Sequence, residues 1–210
     1  MNTIASSIGI LEMPETNPAN DDANAIDVAL MHRVAKEDEA AFRELVERHQ
    51  NAVIGTVAKM LGDAAEAEDI AQKVFLRVWK HAKRWRPDAK FTTYLFTIAR
   101  NLVYNESRRR SRRKEVSSDE RNEDRGLEPM ADARSEPDSE ALKSEMHDEI
   151  DQAIQELPDA QRTAVILYSY ESMPYEEIAK VLDASVSSVK SLLFRARGTL
   201  REKLSQHMGY

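Results

Sequence analysis

The chain has 210 residues and a formal net charge of −7, with 41% hydrophobic and 32% charged residues, which allows one or two small domains. It contains no cysteine, so disulfides, thiolate metal sites and catalytic thiols are excluded. No apolar run is long enough to span a membrane and no basic cluster precedes one at the start, so we expect a cytoplasmic protein without membrane insertion.

The charge is unevenly distributed along the chain. Residues 1–26 carry −4, residues 27–114 carry +7, residues 115–145 carry −7 and residues 146–210 carry −3. Affinity for nucleic acid comes largely from phosphate neutralisation, so a chain with this balance is expected to bind free DNA weakly. We therefore expect a partner that brings the DNA.

The first elements in chain order are a tail and a helical segment. Residues 1–26 have no sustained periodicity and are predicted to be disordered. Helical periodicity begins at Asp27 and continues to Leu61, before Gly62. His49 lies on or near the apolar face, where a packed core histidine is the safer interpretation. No His or carboxylate cluster has metal-site spacing, so we expect neither a metal nor a cofactor.

The next predicted helix covers residues 64–83. Its inward series consists of Ile70, Ala71, Val74, Phe75, Val78 and Ala82. Its outer side carries Leu76 beside Asp69 and Gln72. An exposed leucine among polar residues indicates either a surface that binds a partner or a randomly exposed side chain.

Residues 83–114 interleave aromatic residues with cations. Stacking faces, positive charge and an amide that hydrogen-bonds base edges are what single-stranded nucleic acid requires. Some of the same aromatics can instead close a helical core, and we expect both to hold in part. Leu95, Ile98, Ala99 and Leu102 are predicted inside, and the candidates for contact with bases are Trp85, Tyr94, Phe96 and Asn101.

A linker and a second helical domain follow. Residues 115–140 hold Pro, Gly and Ser and an excess of acids, so they are predicted to form a flexible acidic linker. Its negative charge either aids solubility or occupies a cationic channel of a partner. Residues 141–210 form the second domain, in which Pro158 ends the first helix and a further helix leads to Ser172.

The last elements predict a helix-turn-helix. A short helix after Pro174 carries Ile178, Ala179 and Leu182, an interruption follows at Asp183, and a longer basic helix then begins. An ordinary amphipathic hairpin is the alternative interpretation. The small Ala179, the short turn and the five cations of the second helix favour DNA reading. The predicted reading surface is Ser187, Ser188, Lys190, Ser191 and Arg195.

Three ordered motifs resemble the sigma factors of bacterial RNA polymerase, in the sigma-70 family and its extracytoplasmic-function (ECF) subfamily. Residues 67–76, AEDIAQKVFL, are similar to the helix that binds core polymerase. Residues 91–101, FTTYLFTIARN, followed by Arg108, Arg109 and Arg110, resemble the segment that recognises and melts the minus-ten promoter element. Leu157-Pro158, Gln161-Arg162, residues 175–179 and residues 189–197 resemble the domain that reads the minus-thirty-five element.

The resemblance implies an all-α fold with two small domains, residues 27–114 and 141–210. It implies a factor that directs promoter-specific initiation, with core polymerase, promoter DNA and an anti-sigma factor as partners. The residues implied for core binding are Asp69, Gln72, Phe75 and Leu76. Those implied for the minus-ten element are Trp85, Phe91, Tyr94, Phe96, Asn101, Arg108 and Arg109. Those implied for the minus-thirty-five element are Ser187, Ser188, Lys190, Ser191, Phe194, Arg195 and Arg197.

Three other functions are weighed against this one. A sigma-mimicking protein that sequesters a regulator is expected to lose the cations at Lys190, Arg195 and residues 108–113, which this chain keeps. A dimeric repressor leaves residues 91–101 unexplained. An enzyme is disfavoured because no nucleophile, base and anion-binding loop can be assembled.

Overall fold

The structure, a computed structural model, describes residues 18–117 and 149–207. These residues form eight α-helices and no strand, which confirms the all-α fold. The first four are α1 (Pro18–Val34), α2 (Glu39–Leu61), α3 (Ala64–His81) and α4 (Phe91–Ser117), with a short 3-10 helix at Ala82–Arg84. The others are α5 (149–155), α6 (Asp159–Ser169), α7 (Tyr175–Leu182) and α8 (Val186–His207).

Short polar residues and a glycine set the boundaries of α2 and α3. The carboxylate of Asp38 accepts a hydrogen bond from the Ala41 N–H at 3.0 Å, and that of Asp63 accepts one from the Glu66 N–H at 3.1 Å. These bonds satisfy amides that have no partner inside the helix. Gly62 ends α2 in the left-handed conformation, with φ of 70°.

The predicted disorder of residues 1–26 is wrong for its last part, because α1 begins at Pro18. Two contacts with distant elements hold this segment. The Asn24 side chain accepts a hydrogen bond from the Phe91 N–H at 2.9 Å at the start of α4, and the Ala23 carbonyl accepts one from Arg48. Residues 1–17 lie outside the described part of the chain.

The turn between α7 and α8 is built on Asp183. This residue lies in the left-handed region, with φ of 52°, and the Ala184 N–H donates to the Ala179 carbonyl at 2.9 Å. Asp tolerates this conformation better than bulkier residues do. Ala179 is 6% exposed, so α7 approaches its neighbours closely. The arrangement confirms the predicted pair of helices joined by a short turn.

Helices α1–α4 form a first unit and α5–α8 form a second, and the two units contact each other. Their buried apolar residues belong to one connected cluster, in which α4 packs against α7 and α2 packs against α6. Helix α4 also continues to Ser117, three residues beyond the predicted end of the first domain. Residues 118–140 of the predicted linker and residues 141–148 of the predicted second domain lie outside the described ranges. Within those ranges, no helix is both long and apolar enough to cross a bilayer.

Candidate nucleic-acid interface

Helix α8 has one buried side and one polar, largely exposed side. Val189, Leu193, Ala196, Leu200 and Leu204 are at most 7% exposed and hold the helix against the second unit. The opposite side is exposed at Ser187, Ser188, Lys190, Ser191, Phe194 and Arg195. Phe194 is 78% exposed, an unusual position for a phenylalanine without a partner.

The start of α8 is organised by serine hydroxyls. The Ser188 N–H donates to the Ser185 hydroxyl at 3.1 Å, which satisfies an amide at the helix end. The Ser191 hydroxyl donates to the Ser187 carbonyl at 3.0 Å. Arg197, which the resemblance implies for the minus-thirty-five element, differs from the predicted reading surface, because it is half-buried and its guanidinium lies 5.8 Å from the centre of the Tyr168 ring.

The predicted minus-ten surface divides into exposed and buried members. Asn101, Arg108 and Arg109 are exposed on α4, and Tyr94 is half-buried. Burial raises the pKa of the Tyr94 phenol above its usual value of 10.0.

Three predicted base contacts are core residues instead. Trp85 is 9% exposed, Phe96 is 2% exposed and Phe91 is fully buried, so this conformation leaves their faces unavailable to bases. Phe91 packs 5.2 Å from the His49 ring, and Trp85 lies 6.1 Å from His32. The aromatic pattern of this segment therefore serves core packing more than the sequence suggests.

Part of the basic run of α4 is neutralised within the first unit. Arg109 pairs with Glu106 at 2.8 Å and also lies near Glu66. Arg110 pairs with Asp63 at 2.8 Å and with Glu66, so it ties α4 to the start of α3. Residue spacing alone does not reveal the contacts of Arg110, because its partners are more than 40 positions away in sequence.

The predicted core-polymerase surface lies on α3. Asp69, Gln72 and Leu76 are exposed, and half of the Leu76 side chain contacts solvent. Phe75 is only 6% exposed, because it continues the buried stripe of Ile70, Ala71, Val74 and Val78. Its predicted contact with the polymerase is therefore not available from this position, and Phe75 supports the exposed face from below.

Two groups of polar residues are missed by the sequence patterns. Asp27 is 2% exposed and binds Arg48 and the His49 Nε2, each at 2.9 Å. This pairing agrees with the interpretation of His49 as a packed residue. The second group lies between the two units, where Glu177 of α7 faces Lys90 and Thr93. Neither group follows a local motif, and only the fold brings its members together.

Two sequence families match the chain in the order of its two units. Sigma-70 region 2 matches residues 45–113, and sigma-70 region 4 matches residues 147–200. The RNA polymerase sigma-H factor of Pseudomonas aeruginosa is 34% identical, covering 85% of this chain and 93% of that protein. The ECF RNA polymerase sigma-E factor of Escherichia coli K12 is 31% identical, covering 85% of this chain and 94% of that protein.

Two solved structures share the fold. CnrH, in complex with the cytosolic domain of CnrY, has a TM-score of 0.63 and 22% identity, covering 86% of this chain and 98% of that one. The sigma factor RpoE of Bartonella quintana, in complex with the anti-sigma factor NepR, has a TM-score of 0.61 and 24% identity, covering 78% of this chain and 96% of that one. Because both sigma-70 regions match in order and relatives above 30% identity cover most of its length, the chain belongs to the ECF subfamily of the sigma-70 family of RNA polymerase sigma factors.

Proposed function

We propose that this sigma factor binds core RNA polymerase with α3 and directs promoter-specific initiation by reading DNA with α4 and α8. The observation that carries the proposal is the exposed face of α8. It presents hydroxyls, cations and one phenylalanine on a helix whose other side is firmly buried. Such a helix fits a major groove, where the start reads base edges and cations meet phosphates.

Within α8, residues of different types are assigned to different contacts with DNA. Lys190 and Arg195 supply the charge that phosphates or guanine edges accept, and Ser187, Ser188 and Ser191 supply short hydrogen-bonding groups. Phe194 offers an apolar surface of the kind that contacts thymine methyl groups. Arg197, whose guanidinium lies against the Tyr168 ring, is the proposed contact for a flanking phosphate.

On α4, Tyr94 and Asn101 are the exposed or half-exposed groups able to stack on and hydrogen-bond unpaired bases of the minus-ten element. Arg108 and Arg109 neutralise the backbone beside them. Trp85, Phe91 and Phe96 form the rigid support beneath this face. The protein does no chemistry in this role, since binding energy for unpaired bases is enough to favour strand opening.

Asp69, Gln72 and Leu76 of α3 form the proposed contact with core polymerase, with Leu76 as the apolar anchor. Of the two solved neighbours, the sigma factor RpoE is in complex with the anti-sigma factor NepR, and CnrH is in complex with the cytosolic domain of CnrY. We extend this to an anti-sigma partner for the present chain. The factor acts in the cytoplasm, with the polymerase.

Run-off transcription with purified core polymerase on a library of genomic fragments tests the proposal. We expect RNA to start at defined sites only when the chain is present. Leu76→Ser is expected to weaken core binding about tenfold, since one buried apolar anchor contributes more than about 1 kcal/mol. Ile26→Ser removes a similarly exposed apolar side chain from α1, where Ile26 is 46% exposed, and is expected to leave core binding unchanged. Absence of initiation at every site would contradict the proposal.

A further inference from the structure

Helix α1 contacts both rings that lie beside Tyr94, the half-buried residue proposed to stack on an unpaired base. The centre of the Tyr94 ring is 6.4 Å from that of Trp85 and 6.4 Å from that of Phe91. The His32 ring, near the end of α1, lies edge-on to Trp85, with the ring centres 6.1 Å apart. The Asn24 side chain, about two turns earlier, accepts a hydrogen bond from the Phe91 N–H at 2.9 Å. One helix therefore holds both neighbours of Tyr94.

The contact from Asn24 replaces a local helix cap. Helices α2 and α3 each begin after an aspartate that accepts a hydrogen bond from a backbone N–H of its own first turn. The residue before α4 is Lys90, whose side chain has donors but no acceptor, so it cannot form such a bond. The first amides of a helix have no partner within it. Asn24 supplies an acceptor from 67 positions away, and so fixes the start of α4 relative to α1.

Helix α1 is itself held against α2. In the middle of α1, the buried carboxylate of Asp27 binds Arg48 and the His49 ring, each at 2.9 Å. The centre of the His49 ring lies 5.2 Å from that of Phe91. The first turn of α4, which ends at Tyr94, is therefore packed on fixed neighbours. A side chain that is held in place before binding loses less conformational freedom when it stacks on a base.

We propose that Asn24 and His32 are positioning residues for minus-ten recognition. Through Phe91 and Trp85, they hold the Tyr94 ring where it stacks on an unpaired base. Helix α1 lies before residue 45, where the match to sigma-70 region 2 begins, and it carries none of the predicted minus-ten residues. The inference rests on the proposed function, because it takes Tyr94 as a base contact.

Binding of the holoenzyme, which is core polymerase with this chain, to forked promoter DNA tests the inference. The fork carries the unpaired minus-ten strand of a promoter found by run-off transcription, and a second series replaces each unpaired base in turn by an abasic site. Tyr94→Ala is expected to lower the affinity for the intact fork about tenfold, the loss of one stacked base. This loss is expected to disappear at one abasic position, which identifies the base that Tyr94 contacts.

Asn24→Ala is expected to lower the affinity for the intact fork about fivefold, because it removes one of the two supports of Tyr94. The loss is expected to disappear at the same abasic position and in the Tyr94→Ala background, since a positioning residue acts through the ring that it positions. A general loss of stability would not depend on one base. Asn24→Asp keeps an acceptor for the Phe91 N–H and is expected to stay within about twofold of the wild type.

His32→Ala tests the second support and leaves the hydrogen bond at the start of α4 intact, so it keeps the inference testable if Asn24→Ala does not fold. It is expected to lower the affinity for the intact fork about threefold, with a loss that disappears at the same abasic position. His32→Phe keeps a ring against Trp85 and is expected to retain the affinity. Asn51→Ala is the matched control, because it removes an exposed asparagine from α2 in the same unit, and it is expected to change nothing.

The two proposals fail in different ways. Losses from Asn24→Ala and His32→Ala that persist at every abasic position, or that add to the loss from Tyr94→Ala, would overturn the inference and leave the sigma function standing. So would an unchanged affinity in both variants, or an equal loss in Asn51→Ala. Absence of initiation by the wild-type chain would remove the proposed function, and the positioning roles with it.

Discussion

Asp27 is a buried carboxylate whose two oxygens bind different partners, Arg48 and His49. Removing one member of such a group leaves the others desolvated and unpaired. We expect Asp27→Ala to lower the free energy of unfolding by about 2–4 kcal/mol, measured by urea denaturation. Asp22→Ala removes an exposed carboxylate from the same helix and is expected to change it by less than about 0.5 kcal/mol. Similar losses in both variants would contradict a structural role for Asp27.

The ionisation of Glu171 makes the free energy of unfolding depend on pH. Burial raises its pKa above the usual 4.5, and the Thr56 hydroxyl and nearby His49 oppose this less strongly. A raised pKa means that the native state favours the protonated form, so the contribution of Glu171 to stability is present at low pH and is lost as pH rises through the raised pKa.

Glu171→Gln keeps a neutral acceptor for Thr56 at every pH. We therefore expect the variant to be close to the wild type in stability near about pH 4 and more stable above the raised pKa, with urea midpoints measured across that range. Glu176→Gln, at an exposed position, is expected to show no such pH-dependent gap. A difference in urea midpoint between Glu171→Gln and the wild type that stays constant with pH would contradict a raised pKa for Glu171.

Single residues differ in how well the sequence predicts their surroundings. The buried stripe of α8 and its exposed serines and cations follow from helical spacing alone, and the structure places them as predicted. Spacing fails for Phe91, Phe96 and Phe75, because an aromatic ring beside cations suits both a core and a nucleic-acid surface. Only packing against neighbouring helices, such as Phe91 against His49, distinguishes the two.

At the scale of elements, the two glycines of α2 have opposite roles. Gly62 ends the helix with φ of 70°, where a side chain is strained, and an added Cβ would lie 2.7 Å from the Gln155 Oε1. Gly55 lies inside the helix, and apart from its chain neighbours and the backbone of its own helix no atom lies within 4 Å of an added Cβ. We expect Gly62→Ala to lower stability by about 1–2 kcal/mol and Gly55→Ala to raise it by about 0.5–1 kcal/mol, measured by thermal unfolding. Changes of the same sign in both variants would contradict this account.

The boundaries of the helices can be predicted from the sequence only where local residues determine them. Gly62 and Asp63 mark the end of α2 and the start of α3 in the sequence, because their roles are local. The start of α1 at Pro18 is not predicted, since the contacts of Asn24 and Ala23 are with residues 67 and 25 positions away. Apolar periodicity is weak in this segment, and a polar side chain that caps another helix leaves no periodic signal.

At the scale of the whole molecule, the sequence predicts two helical units but not their contact. Beside its apolar packing, the interface includes single polar residues such as Thr56, Lys59 and Glu177, each of which also suits a solvated surface. Their partners lie more than 80 positions away, beyond the reach of any local motif. The net charge of −7 agrees with the expectation that the free chain binds DNA weakly and needs a partner that brings the DNA.

Opening on core polymerase can be measured as a distance. If α3 binds the polymerase while α4 and α8 reach separate promoter elements, the contacts of Lys59 and Glu177 must break, together with the apolar packing of α4 against α7. Fluorophores at Glu47→Cys in α2 and Ser205→Cys in α8 report the two units, and both positions are exposed. We expect energy transfer between them to fall when core polymerase is added.

A pair confined to the first unit, Glu47→Cys with Lys80→Cys at an exposed position of α3, provides the control. Because α2 and α3 share a buried core, energy transfer in this pair is expected to stay constant when the polymerase binds. Unchanged transfer between Glu47 and Ser205 in a chain that demonstrably binds the polymerase would show that the units remain together. The promoter elements would then have to be read with α4 and α7 still in contact, although their centres are about 25 base pairs apart, or roughly 85 Å of duplex at about 3.4 Å per pair.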